Sequence, residues 1–201
     1  LQSGGMISGS ENPELADGSD IGPGSSIAVQ LMRGDLGFSA SASGTVTHRQ
    51  GKKIYAFGHP WFSLGPVALP FSKAHVISLL PNLSTSFKIA VPTDLVGTIT
   101  QDRSQGLYGM IGLKPKLIPL VIKLNSSRNN SRTFKYELVN DKLLTPFLTN
   151  FTIFNTITSQ ERILGDSTIQ LEGKISLKGH PDVKVENLFS GQTNSQMLAS
   201  L

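Results

Sequence analysis

Short segments of alternating apolar residues, separated by turns rich in Gly, Pro and polar residues, recur along most of this chain. In residues 26–32, Ile27, Val29 and Leu31 alternate with a period of two, the spacing that places one face of a β-strand in a core. Residues 49–52 form a turn signal between the strand segments 38–47 and 53–57, so these two are expected to form a hairpin. Many short strands joined by such turns are typical of barrels and sandwiches.

Further strands are expected at 75–80, 87–91, 96–100, 118–124 and 133–139, and a strand pair is expected at 168–177. One helix is predicted between residues 139 and 168, because apolar residues from Leu144 to Ile157 recur every three or four positions. Thr145 would cap this helix, and Pro146 suits its first turn. The sequence therefore predicts a mainly β, barrel-like fold with one or two helices.

Composition excludes several classes of protein. The 201 residues can bury a core of their own, and the 16% of charged residues lies below the usual ~25%, which excludes a coiled coil or an acidic disordered tail. The chain has no cysteine, which excludes disulfides, cysteine-ligated metal and thiol catalysis. No stretch approaches the roughly 18 apolar residues of a membrane span.

Three regions are expected along the chain. Residues 1–25 are rich in Gly, Ser and acidic residues and are interpreted as a flexible linker or surface strap. Residues 26–186 would form the β domain, and residues 187–201 a tail that starts another helix. The net charge is +4, but the cations are scattered and have no interleaved aromatic residues. This favours a solvated surface, so nucleic acid is not expected as a partner. A third hypothesis is that the chain binds nucleic acid or an anionic surface, with an affinity that falls as the salt concentration rises.

His59 is the histidine whose surroundings suggest chemistry. It stands in Gly58-His59-Pro60-Trp61, beside the only Trp of the chain. Gly58 permits backbone conformations that a side chain forbids, and Pro60 favours an extended His59. A fixed histidine beside an aromatic wall suits a general base. A structural turn is the simpler interpretation of the same residue types.

An ordered set of motifs resembles the SpoIVB-type serine peptidase family. The set includes Met-Arg-Gly-Asp at 32–35, Ser-Gly-Thr-Val-Thr at 43–47, Ile-Tyr-Ala-Phe-Gly-His-Pro at 54–60 and Gly-Thr-Ile-Thr-Gln-Asp-Arg at 97–103. The match covers roughly residues 25–150. The resemblance implies a trypsin-related fold of the double β-barrel type, peptide-bond hydrolysis by acyl transfer, and His59 as the catalytic histidine. It also implies an exported bacterial protein, periplasmic or extracellular, that acts on a protein or peptide substrate.

The catalytic serine that the resemblance implies has no matching motif in this chain. The family's serine lies in a Gly-Met-Ser-Gly-Ser-Pro motif, which the chain does not contain. The nearest string surrounds Ser8, with one extra residue and no proline, and Ser190 has still less of the motif around it. The serine is therefore expected in the remaining part of a longer chain, and this fragment alone is expected to be inactive. A non-catalytic binding or assembly module on the same fold is the alternative.

Asp102 is the candidate to orient His59, because a carboxylate on the second ring nitrogen would fix the tautomer and stabilise the imidazolium. The competing interpretation is that Asp102 caps the turn that follows it. Asp35, in Gly34-Asp35, is interpreted as a turn former. No cofactor and no metal site are expected, since no metal-ligand spacing is present.

Overall fold

The structure is a computed structural model that describes residues 15–37, 39–83, 86–126, 131–160 and 167–191. The chain divides into two compact units. The first unit comprises residues 1–121 and 134–145, and the second comprises residues 122–133 and 146–201.

The fold is mainly β, as predicted. Within the described residues there are ten strands, one α-helix and a short 3-10 turn at Asp35–Gly37. The elements are β1 (Ser26–Gly34), β2 (Ala40–Gln50), β3 (Lys53–Ala56), β4 (Gly65–Leu80), β5 (Phe87–Arg103), β6 (Gly106–Ile111), β7 (Leu117–Leu124), β8 (Arg132–Val139), α1 (Leu144–Gln160), β9 (Ser167–Ile175) and β10 (Val183–Gly191).

The large sheet has a ring-like pattern of strand pairing. Its strand order is β2-β3-β6-β5-β4-β1-β8-β7, and β1 also pairs with β2, so six strands are hydrogen-bonded in a closed circuit. Each pairing with a defined register is antiparallel, as in the β2–β3 hairpin that the turn signal predicted. Because such a circuit leaves few free strand edges, the six strands hold one another in register.

The core of the first unit is apolar and tightly packed. Phe71 in β4 is fully buried and lies opposite both Val29 in β1 and Gly97 in β5. A Cβ on Gly97 would come within 2.6 Å of the Phe71 ring, so this position accepts only glycine without a shift of the core. Leu69 and Ile99 form a neighbouring buried pair across the same two strands. Apolar burial of this kind is the main driving force for folding.

The structure extends several predicted strands and adds one. The segments 87–91 and 96–100 belong to a single strand, β5, and the segment 75–80 is the distal half of the 16-residue β4. Gly106 and Gly109 lie in β6. Gly109 is needed there because a Cβ would meet Ile99 of β5 at 2.7 Å.

Residues 15–25 form the described part of the predicted strap. Arg49 donates hydrogen bonds to the backbone oxygens of Gly18, Ser19 and Ile21, and Ala16 N donates to Leu95 O. Lys73 forms an ion pair with Asp20 at 2.8 Å, and its hydrogen bond lowers the pKa of that carboxyl. These bonds connect residues 15–25 to strands of the first unit, while residues 1–14 lie outside the described part.

The turn after β1 is held to β8 by Asp35. Its carboxylate accepts a hydrogen bond from Lys135 N at 2.8 Å, in agreement with a turn-forming role. Nearby, Arg33 and Glu137 approach to 3.3 Å. Burial raises the pKa of Glu137 by more than the Arg33 charge lowers it, so the carboxyl is shielded from water at this position.

The helix α1 confirms the predicted element and corrects two details. Asp141 caps it, because its Oδ1 accepts hydrogen bonds from the backbone N–H groups of Leu143 and Leu144, whereas the Thr145 hydroxyl donates to Val139 O. Of the predicted apolar stripe, only Leu148 and Ile157 are buried. Phe147 is 64% exposed, and the buried positions are Leu148, Thr152, Thr156 and Ile157.

Threonines can occupy the buried face of α1 because their hydroxyls are satisfied within the helix. Thr152 donates to Leu148 O at 2.6 Å, and Thr156 donates to Thr152 O at 2.7 Å. A buried hydroxyl that is hydrogen-bonded avoids most of the cost of leaving water. A search for apolar periodicity cannot detect such a face.

The second unit also contains the hairpin β9–β10, in which Ser167–Ile175 pairs with Val183–Gly191 over nine positions. The strand pair predicted at 168–177 is only partly correct, because this segment holds the single strand β9 and its partner β10 lies further along the chain. The predicted tail helix is wrong for residues 187–191, which belong to β10, because their cross-strand partners in β9 bind the backbone in extended form. Residues 192–201 lie outside the described part.

Two leucines of the first unit test the location of the core. Leu69 is 2% exposed and Leu83 is fully exposed. Leu69→Ala is expected to lower the free energy of unfolding by about 2–5 kcal/mol, because it removes buried methyl groups and leaves a cavity. Leu83→Ala is expected to change it by less than about 0.5 kcal/mol. Urea unfolding curves of the two variants and the parent measure the difference, and equal effects would contradict this core.

Candidate active site

The predicted His59 loop joins β3 to β4 and has an unusual backbone conformation. Phe57 has φ 73° and Ser63 has φ 59°, and the glycines Gly58 and Gly65 have φ 74° and 75°. Left-handed conformations are easy for glycine and costly for other residues, by about 1–3 kcal/mol each when the position is sparsely populated. Phe57 and Ser63 therefore keep this conformation only if other contacts hold the loop.

Asp102 supplies those contacts. Its carboxylate is 1% exposed, lies near the end of β5, and accepts hydrogen bonds from the backbone N–H groups of Trp61 at 2.9 Å and Phe62 at 2.7 Å. A third and longer bond, of 3.4 Å, comes from Leu64 N. A buried carboxylate needs hydrogen-bond donors, and loop N–H groups away from a sheet need acceptors, so each satisfies the other.

His59 itself is exposed on this loop. Its Nδ1 lies 2.8 Å from the carbonyl oxygen of Pro60. A carbonyl can only accept, so Nδ1 carries the proton and donates it, and in the neutral ring Nε2 keeps its lone pair. Nε2 has no hydrogen-bond partner among the residues that the structure describes. The arrangement can accept a proton from a hydroxyl that approaches from solvent.

Aromatic rings flank the histidine on the loop. The Phe57 ring centroid lies 5.7 Å from that of His59, and the rings of Trp61 and Phe62 lie 4.7 Å apart. Phe57 also packs against the backbone of β2, where a Cβ on Gly44 would overlap its ring. The Phe57 ring is therefore held in place by β2, and it restricts the space that the His59 imidazole can occupy.

The structure does not bring His59 and Asp102 together as the sequence analysis expected. The Nδ1 partner of His59 is a backbone carbonyl, and the described bonds of Asp102 go to backbone N–H groups of the same loop. The competing interpretation, that Asp102 stabilises a turn, agrees better with these bonds. The turn that it stabilises is the His59 loop, however, and not the turn that follows Asp102. Ser8 lies outside the described residues, and Ser190 lies in β10 of the second unit.

Two glycines that the sequence analysis did not assign to the site support the loop. Gly44 leaves room for the Phe57 ring. Gly106, with φ 134°, lies where the loop leaves β3, and a Cβ there would come within 2.7 Å of Ala56 O and 3.2 Å of Gly58 N. A glycine inside a strand is a recognised signal of close backbone approach, but the signal does not reveal which segment approaches.

No group of three or more His, Asp or Glu side chains that could hold a metal ion occurs among the described residues. Within the same residues, no helix has the length and apolar character needed to cross a bilayer. Comparisons of the chain with protein-family models, with curated proteins and with solved structures found no match.

Replacing Asp102 by Asn tests its role as the anchor of the loop. Asn offers one acceptor oxygen and an NH₂ group that cannot accept from a backbone N–H, so at least one buried donor is left unpaired. We expect Asp102→Asn to lower the free energy of unfolding by about 1–3 kcal/mol. It should also speed amide hydrogen exchange at Trp61 and Phe62. The matched control is Asp94→Asn, at an exposed position of the same strand, which should leave both quantities unchanged.

The tautomer of His59 is a second testable consequence. At a pH where the ring is neutral, long-range ¹H–¹⁵N NMR spectra should show a protonated Nδ1 and an unprotonated Nε2, because the Pro60 carbonyl holds the proton on Nδ1. His180, in the turn between β9 and β10, has no such ring contact among the described bonds and serves as the reference. A protonated Nε2 in His59 would contradict the geometry.

Proposed function

We propose that this chain is the histidine-bearing part of an exported serine peptidase of the SpoIVB type, with His59 as the general base. The observation that carries the proposal is an exposed imidazole with its proton held on Nδ1 and its Nε2 lone pair open to solvent, on a loop that Asp102 fixes. The ordered motifs from 32–35 to 97–103 support the same function.

The proposed reaction is acyl transfer. A serine hydroxyl within about 2.6–3.2 Å of Nε2 would attack the peptide carbonyl while His59 takes its proton, and His59 would then return that proton to the leaving amine. In this chain the Pro60 carbonyl stands where a triad has its carboxylate. Its oxygen carries the negative end of a dipole, so it would stabilise the imidazolium, though less than a full negative charge would.

In this proposal, neither the nucleophile nor the substrate is part of the residues that the structure describes. The serine belongs to the remaining part of a longer chain, because the string around Ser8 has one extra residue and lacks the proline of the family motif. The substrate is a protein or peptide, and the 201-residue chain alone is inactive. Asp102 is a positioning residue, because it acts on His59 through the loop backbone.

The trypsin-related fold is part of the proposal. Six antiparallel strands hydrogen-bonded in a circuit, with the histidine loop directly after a hairpin, support one barrel of such a pair. The second candidate function is a non-catalytic binding or assembly module. It is favoured by a different observation, the large exposed apolar residues of the distal halves of β4 and β5.

Labelling with a fluorophosphonate probe distinguishes the two functions. The probe phosphonylates an activated serine, so the full gene product should be labelled, and the 201-residue chain should not. His59→Gln should slow labelling of the full product by a factor of about 10²–10⁴, the usual contribution of a general base.

His48→Gln is the matched control for this experiment. His48 is also exposed, lies in the adjacent hairpin and has Tyr55 as its aromatic neighbour at 5.9 Å. The control should label at the parent rate. Failure of the full gene product to label, or equal labelling of the two glutamine variants, would rule out the peptidase and leave the binding module.

A further inference from the structure

The distal halves of β4 and β5 form a two-stranded ribbon, which we define as Ala74–Leu80 with 87–92. Nearer the ring, β4 pairs with β1 only at 71–73, and β5 pairs with β6 only from Gly97 onward. Among the described residues, the strands of the ribbon pair only with each other. Both edges of the ribbon are therefore unpaired among the described residues.

The face of the ribbon that is turned to solvent, which we call the outer face, carries exposed apolar residues. Lys88 points toward the ring, where its Nζ donates hydrogen bonds to Ser26 Oγ at 3.0 Å and Thr45 Oγ1 at 2.8 Å. Its neighbours on the face turned to the ring, Ala90 and Pro92, are half-buried. The alternate residues Phe87, Ile89 and Val91 are 57%, 40% and 41% exposed. A solvated sheet face is normally polar, so this apolar outer face is unusual. On the opposite face, Leu79, which pairs with Lys88, is also exposed, at 63%.

The outer face continues onto β4 without any charged side chain. Leu80 lies opposite Phe87, Ser78 opposite Ile89 and His75 opposite Val91. Leu80 is 42% exposed, and Ile77 at the adjoining bulge is 61% exposed. Contiguous exposed apolar residues on a soluble protein mark an interaction surface.

We propose that this outer face binds the same face of a second copy of the chain. The face offers no ion pair and few hydrogen-bond donors, so its complement must itself be apolar and uncharged. A second copy related by a two-fold axis meets that condition, because the same residues are presented from both sides. The proposal does not depend on the peptidase function.

The charges near the ribbon argue against a lipid surface as the occupant. Attachment to an anionic membrane usually combines apolar insertion with Lys or Arg at the headgroups. Here Lys88 is held against Ser26 and Thr45, and Lys73 at the base of the ribbon is paired with Asp20. Neither cation is directed to the outer face.

The strand edges indicate contact between faces and not between edges. On β4 the register shifts between Ser72 and Ala74 and again between Val76 and Ser78. On β5 the edge carries Lys88 and Pro92. Bulges, lysine and proline are features that prevent the addition of a further strand. Two faces packed as sheets would lie about 10 Å apart.

The affinity of the dimer should be modest. A standard interface covers about 800 Å² and about 20–30 residues on each partner, and the ribbon has fewer residues than that. Sedimentation velocity of the 201-residue chain over a wide range of concentration should show a monomer that becomes a dimer. Val91→Lys places a charge in the centre of the face and should abolish the dimer. The matched control Val121→Lys changes another exposed strand valine, 61% exposed on β7, and should preserve it.

A second measurement tests the contact without introducing a charge. Because the chain has no cysteine, Ile89→Cys and Val121→Cys each carry a single thiol. Alkylation of the Cys at position 89 should slow as protein concentration rises, and alkylation of the Cys at position 121 should not. A chain that stays monomeric at every concentration, or a dimer in which both thiols react alike and both lysine variants associate, would overturn the proposal.

Discussion

The candidate site depends on one buried carboxylate. Burying an ionised Asp is costly unless it is fully hydrogen-bonded, and Asp102 meets this requirement with backbone N–H groups of the His59 loop. The same bonds stabilise the left-handed conformations of Phe57 and Ser63, which would otherwise relax. Asp102 lies in a strand that pairs on both sides, with β4 and β6, so the ring positions the carboxylate and the carboxylate positions the loop.

This arrangement separates two tasks that one Asp performs in a Ser-His-Asp triad. There the carboxylate both orients the imidazole and stabilises its positive charge. Here Asp102 fixes the loop, and the Pro60 carbonyl fixes the proton on Nδ1. The orientation is therefore provided by the backbone of the loop itself. In the proposed peptidase, the positive charge of the ring would be stabilised by this dipole and not by a carboxylate.

The sequence predicted the parts of the fold that follow from local patterns. Period-two segments gave β1 and β8, the turn at 49–52 gave the β2–β3 hairpin, and Gly58 with Pro60 identified the loop. The partner of Asp102 was not predictable, because strand pairing brings residue 102 opposite residue 65 and no local signal encodes that pairing. The buried face of α1 was missed for a related reason, since Thr152 and Thr156 are buried through hydrogen bonds and not through apolar character.

The ribbon shows why alternation alone does not reveal which face of a strand is buried. In β5 the apolar residues Phe87, Ile89 and Val91 have the period of two that predicts a core-facing stripe, yet Lys88 is the residue held against the ring. Two hydroxyls, from Ser26 and Thr45, satisfy its ammonium group and so offset the cost of directing it inward. Once Lys88 is held there, the pleat of the strand forces its apolar neighbours outward. An apolar stripe turned to solvent by such an interaction is a favourable contact surface for a second chain, which connects the packing of one lysine to the proposed assembly of two chains.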